Sequence, residues 1–110
     1  MDAIDQLSLE TAAYDGNMEI IKNAVETGRL LSYPEVLMRI IEIAFGENQF
    51  SVLNYLSSVG VSFLRPNGYG VTPLAGAVWG ANVEAVKYLL KKAYPLANLI
   101  VKENHSYLLR

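Results

Sequence analysis

The chain has 110 residues, 52% of them apolar and 18% charged, with a net charge of −2. That balance belongs to one folded domain; it excludes extensive disorder and lacks the excess of positive charge that nucleic-acid binding requires. There is no cysteine for a disulfide framework or thiolate chemistry, no run of about eighteen apolar residues, and acid (Asp2, Asp5) where a signal peptide needs base. A cytoplasmic protein with no membrane and no nucleic-acid partner is expected.

Along the chain, Asp2, Asp5, Gln6 and Ser8 make the opening helix polar enough to cap the end of a stack. The run Ala12-Ala13-Tyr14-Asp15-Gly16-Asn17-Met18-Glu19-Ile20-Ile21-Lys22 sets a Gly between two helical stretches. Next, Arg29-Leu30-Leu31-Ser32-Tyr33-Pro34 is short and lacks Gly, which predicts a bare loop and an early helix start. Ser32 followed three residues later by Glu35 fits a capping box, with Pro34 in the first turn. Val36, Leu37, Ile40, Ile41, Ile43 and Ala44 then make an apolar helix, and a second is predicted over 49–59, with Phe50, Leu53 and Leu56 inward and Gly60 as its stop.

The pattern changes after Gly60. Val61 and Phe63 alternate with Ser62, and Arg65-Pro66-Asn67-Gly68-Tyr69-Gly70 predicts a turn, Asn-Gly being a favoured tight-turn pair because both residues tolerate positive φ. Thr72 is placed to cap a helix that begins at Pro73, with Leu74 and Ala77 on one face and little bulk at Ala75 and Gly76. Val83, Val86, Leu89 and Leu90 recur at helical spacing and define the inner face of the next helix, leaving Glu84, Lys87 and Lys91 in water. Glu84 and Lys87 are spaced for a pair worth a few tenths of a kcal/mol. The tail, with Leu96, Leu99, Ile100, Val101, Tyr107, Leu108 and Leu109, is apolar enough to pack, as a helix folded back or as the start of a further copy.

Shifted by thirty-three residues, the chain overlaps itself: Ala44 falls on Ala77, Phe50 on Val83, Leu53 on Val86, Tyr55 on Tyr88 and Leu56 on Leu89. A third copy lies upstream at a spacing one residue shorter, with Ala12 before Ala44 and Gly28 before Gly60. A fixed period of this length signals a stacked repeat. Thr72-Pro73-Leu74 and the Ala12–Lys22 run resemble the ankyrin repeat, and the similar stretches span about residues 7 to 95. Ala75 stands where the family has a His, and Gly80-Ala81 offset its inter-helix Gly by one position.

The resemblance implies an all-α, ankyrin-type helical repeat solenoid of about three helix-turn-helix repeats. Their expected bounds are 7–38, 39–71 and 72–104, with one finger turn and a C-terminal capping segment over 95–110. It also implies a non-catalytic module, without cofactor, that binds a partner protein on a concave face and occludes or scaffolds it. The corresponding positions are Tyr14 and Asp15, Gly46 and Glu47, and Trp79 and Gly80 at the ends of the first helices, with Pro66, Tyr69 and Val71 on the finger. Trp79 either anchors the partner or folds down over the tail. A monomer is expected; the alternative is a structural subunit or homo-oligomer that assembles through the apolar C-terminal end.

Few residues suit an enzyme. His105 is the only imidazole and has no Cys or second His for a metal set. Gly68-x-Gly70 lacks the Gly-Lys-Ser/Thr of a phosphate loop. Asp15 and Glu47, at matching places in adjacent copies, are the sole pair of carboxylates that suggest divided acid and base roles. Lys87, Lys91 and Lys92 read as the solvated side of a helix, and Gly76-x-x-x-Gly80 as close helix packing in water.

Overall fold

The structure, a computed structural model, describes residues 1–92. The apolar tail, His105 and the proposed C-terminal cap lie outside the described residues, as does the end of the third copy. Among the described residues the chain is all-helical, with no strand: α1 (Ala3–Asp15), α2 (Met18–Glu26), α3 (Pro34–Gly46), α4 (Phe50–Ser58), α5 (Pro73–Trp79) and α6 (Val83–Lys92). The helices come in pairs. Within each pair they pack together, and the pairs stack in chain order, α1 on α3, α3 on α5 and α2 on α4.

One turn geometry closes all three pairs. Gly16, Asn48 and Ala81 have left-handed φ of 75°, 53° and 53°. The amide of the following residue (Asn17, Gln49, Asn82) donates back to the carbonyl of Ala12, Ala44 and Ala77 at 2.8, 2.8 and 2.9 Å. This is a Schellman closure, which satisfies carbonyls that a helix end otherwise leaves open. Its acceptors are the three alanines that the self-overlap aligns, so the period written in the sequence recurs in the backbone. The offset of Gly80-Ala81 also acquires a meaning. Gly80 lies at φ −80°, and the left-handed position falls on Ala81, where a Cβ costs about 1–2 kcal/mol.

The core joins the facing sides of the pairs. Leu9, Ala12 and Ala13 of α1, Ile40, Ile41, Ala44 and Phe45 of α3, and Ala77 of α5 are buried with Ile21, Ala24, Leu53, Leu56, Ala85 and Leu89 of the second helices. Alanine at the stacked positions lets neighbouring helices come close. In α6 the expected inward set is corrected: Val83 is exposed, whereas Ala85 and Leu89 are buried. Asn82 fixes this phase, because its side chain accepts from the Ala85 amide at 3.2 Å and begins the helix one residue before Val83. The opening helix is less polar outside than expected, since Ile4 and Leu7 lie on the face opposite its buried side, 82% and 64% exposed.

The two connectors between pairs differ. The first is a bare loop, as the sequence implies, pinned by buried Leu30, whose amide donates to Ala24 O at 3.0 Å. Its capping box does not form. Tyr33, not Ser32, occupies the cap position and makes no side-chain cap bond, and the Ser32 hydroxyl donates instead to Gly28 O at 2.6 Å. Ser32 therefore lies one residue too early, and Pro34, which has no amide to satisfy, starts α3 unaided.

The second connector is the finger, and its root, Phe63, is buried. Asn67 organises its tip: the side-chain oxygen accepts from the amides of Tyr69 and Val71 at 2.9 and 3.0 Å, and the Asn67 amide donates to Val71 O at 2.8 Å. The Gly70 amide donates to Asn67 O at 3.0 Å. Asn67 is thus the first residue of the turn, not a central one. The left-handed residue is Gly70, at φ 77°, and neither Asn67 nor Gly68 uses the positive φ that it tolerates. Thr72 then caps α5 through its hydroxyl, which accepts from the Ala75 amide at 3.1 Å.

Candidate partner-binding face

The three inner helices, α1, α3 and α5, end at equivalent points because the same turn follows each. Their last residues are therefore in register: Tyr14 and Asp15, Gly46 and Glu47, Trp79 and Gly80 are all exposed. Trp79 keeps 74% of its surface accessible and Tyr14 56%. On the finger Pro66 and Tyr69 are exposed, Tyr69 by 93%, whereas Val71 is half-buried.

A cleft of about 380 Å³ opens between α3, the finger and α5, with Met38, Glu42, Phe45, Val71, Pro73 and Ala77 in its lining. Of the residues chosen from sequence it brings together Gly46, Val71 and Gly80. Tyr14 lies elsewhere, in an open groove of about 310 Å³ with Glu10, Thr11, Arg39 and Ile43. Asp15, Glu47, Pro66, Tyr69 and Trp79 line neither hollow. The face is therefore a cleft and a separate groove carrying exposed aromatic residues, not one continuous pocket.

Residues that the sequence reading passed over hold this face in place. The Gln49 amide nitrogen donates to Tyr14 O at 2.7 Å, and that of Asn82 to Phe45 O at 2.9 Å and Asn48 Oδ1 at 3.0 Å. In the first two pairs a carbonyl at the end of the inner helix is thus tied to the turn of the next pair. Gly16 makes room for the first tie: a Cβ there would stand 2.5 Å from Gln49 Oε1. Asn67 Nδ2 donates to Glu42 Oε1 at 2.9 Å and fastens the finger to α3. Gln49 and Asn82 both directly follow the left-handed residue of their turns, a place that the structure and not the sequence marks. Their reach across to the preceding pair was not legible.

An aromatic cluster supports the cleft from behind. Phe45 meets Phe63 edge-on at 5.4 Å and Tyr88 at 5.9 Å, while Phe50 stacks on Tyr88 at 4.8 Å. Such contacts add about 0.5–1.5 kcal/mol each beyond the area they bury. The Tyr88 hydroxyl donates to Asn54 Oδ1 at 2.7 Å, and burial raises its pKa above the usual 10.0.

Charges lie along the inner helices. Arg29 pairs with Asp5, and Arg39 holds Glu10 at 3.0 Å and stands 3.8 Å from Glu42. On α6, Lys87 and Glu84 form the anticipated pair at 3.8 Å, well exposed. Asp15 and Glu47 are exposed and line neither hollow, and among the described residues no group of three His, Cys, Asp or Glu is arranged to hold a metal ion. No helix among the described residues is long and apolar enough to cross a membrane. No family model, curated protein or solved structure matches this chain.

Proposed function

We propose that the chain is an ankyrin-type repeat solenoid and works as a non-catalytic, cofactor-free protein-binding module of the cytoplasm. A preformed face built from the inner-helix ends and the finger docks a partner protein and occludes or positions it. The observation that carries the reading is Trp79: a large aromatic side chain, 74% exposed, held at the end of α5 next to Gly80 of the cleft. Tryptophan and tyrosine anchor interfaces because they bring much apolar area with few rotors. Support for the repeat comes from the turn shared by all three pairs and from the alanines at its period.

The test is a pull-down from the native source with wild type, Trp79→Ala and Lys87→Ala, each checked for its thermal midpoint. Trp79→Ala should weaken the complex by about 2 kcal/mol or more without lowering the midpoint, the scale of an interface hot spot. Lys87→Ala, on the outer helix, should change affinity by a few tenths of a kcal/mol. Equal loss with both variants, or loss of folding with Trp79→Ala, contradicts the face. Assembly through the C-terminal end, the competing reading, concerns residues outside those described; a free-solution mass above one chain would favour it.

A further inference from the structure

We infer that the cleft between α3, the finger and α5 takes a peptide segment of the partner that seats an aliphatic side chain in the cleft and sets a Lys or Arg against Glu42. The inference rests on the reading of this face as protein-binding and adds the chemistry of what is bound. The cleft is about 380 Å³, near the low end for ligand sites and suited to one or two side chains. Its apolar walls are Met38, Phe45, Val71, Pro73 and Ala77.

The space exists because residues on the inner helices lack side chains. A Cβ at Gly46 would meet no atom within 4 Å, and one at Gly76 would meet only Val71 Cγ1, at 3.9 Å. Among the described residues, nothing in the helix packing therefore forbids a side chain at either position, and they leave the room open to a guest.

Charge selects the guest. Among the described residues Glu42 is the one charged side chain in the lining. Its Oε1 accepts from Asn67, which fixes the carboxylate, while Oε2 is 3.8 Å from Arg39, beyond hydrogen-bond length. A cation arriving from the partner finds an oriented carboxylate whose Oε2 has only a long ion pair with Arg39, itself held closer by Glu10 at 3.0 Å, and charge-assisted bonds of hydrogen-bond length are the stronger ones. Glu47, exposed directly after Gly46, extends the negative field along the same helix end. An acidic segment would instead place like charge on Glu42.

The probe is a library of random twelve-residue peptides displayed on phage and selected on the full chain, after which the best peptide is synthesised. Selected peptides should carry Leu, Met or Val within about three positions of Lys or Arg. Replacing that basic residue by Gln should weaken binding to wild type about tenfold, and much less to Glu42→Gln, which keeps an oxygen for Asn67 and loses only the charge. Gly76→Leu should fill the cleft and abolish binding. Gly46→Ala, a favourable change within a helix, should keep the thermal midpoint or raise it while weakening binding severalfold. Peptides that bind without a basic residue, or with equal affinity to Glu42→Gln, overturn the inference while leaving the Trp79 result to decide the protein-binding reading. A selection that returns no binder also overturns it, and again the pull-down decides the broader reading separately.

Discussion

From Gly28 to Asn48, and again from Gly60 to Ala81, the chain runs between two left-handed residues over nearly the same length, yet it builds different things. In the first stretch a short loop gives way to a helix of 13 residues; in the second a finger precedes a helix of only 7. Both stretches end in the same turn, and both bury one apolar root in the connector, Leu30 in the first and Phe63 in the second. The period is therefore set by the closing turns and the buried alanines rather than by helix length. Residues of turn chemistry decide how much of each interval is helix: Asn67, Gly70 and the Thr72-Pro73 start delay α5, whereas Pro34 alone lets α3 begin early.

That comparison is broken most sharply at the roots. Phe63→Ala removes a buried ring in edge contact with Phe45 and should cost about 3–5 kcal/mol, read from denaturant unfolding. Leu31→Ala, the control at an exposed neighbour of the other root, Leu30, should stay within about 0.5 kcal/mol. Similar costs for the two would mean that Phe63 does not anchor the finger.

Next in size is the finger tip. Asn67→Ala deletes two bonds from Tyr69 and Val71 and the tie to Glu42, and should cost about 2 kcal/mol, with faster amide exchange at Tyr69 and Val71. Unchanged exchange at those amides would show the turn to be held by something else. In the bare loop, Ser32→Ala loses one hydroxyl bond to Gly28 O and should move stability by no more than about 0.5 kcal/mol, because the lost partner faces water.

A gain is expected at the third turn. Ala81→Gly relieves a left-handed alanine at φ 53° and should raise stability by about 1 kcal/mol, measured as a higher denaturation midpoint. No gain would mean that the third pair does not close as the first does. The smallest effect depends on pH. Because burial raises the Tyr88 pKa, the neutral phenol is favoured in the folded chain; its contribution is complete below about pH 10 and lost as pH climbs through the folded-state value. The thermal midpoint of wild type should consequently fall faster above pH 10 than that of Tyr88→Phe.

Much of this architecture was legible in the residues. The Thr72 cap, the Gly60 stop, the early start at Pro34 and the alignment of Ala12, Ala44 and Ala77 follow from local chemistry and a repeated spacing, and each acts over a few residues. What was not legible acts across the stack. Asn82 caps α6 and reaches the preceding pair at once, which turns Val83 outward, and no local pattern carries that information. Ser32 turns its hydroxyl back to Gly28 O because α3 starts one residue too late for it to cap, and Asn67 opens the turn because its side-chain oxygen gathers the amides of Tyr69 and Val71, choices that spacing alone does not dictate. Of the chosen binding positions the cleft gathers only Gly46, Val71 and Gly80, since exposure at a helix end does not by itself make residues converge.

The most direct test of the account is a set of backbone φ values from three-bond amide–Hα couplings and chemical shifts in solution. Positive φ at Gly16, Asn48 and Ala81, with α3 beginning at Pro34 and α5 only at Pro73, is the predicted result: one closing turn, repeated, with the finger inserted between the second and third pairs. Helical shifts running through Asn48 or Ala81, or a helix occupying residues 66–72, would contradict it.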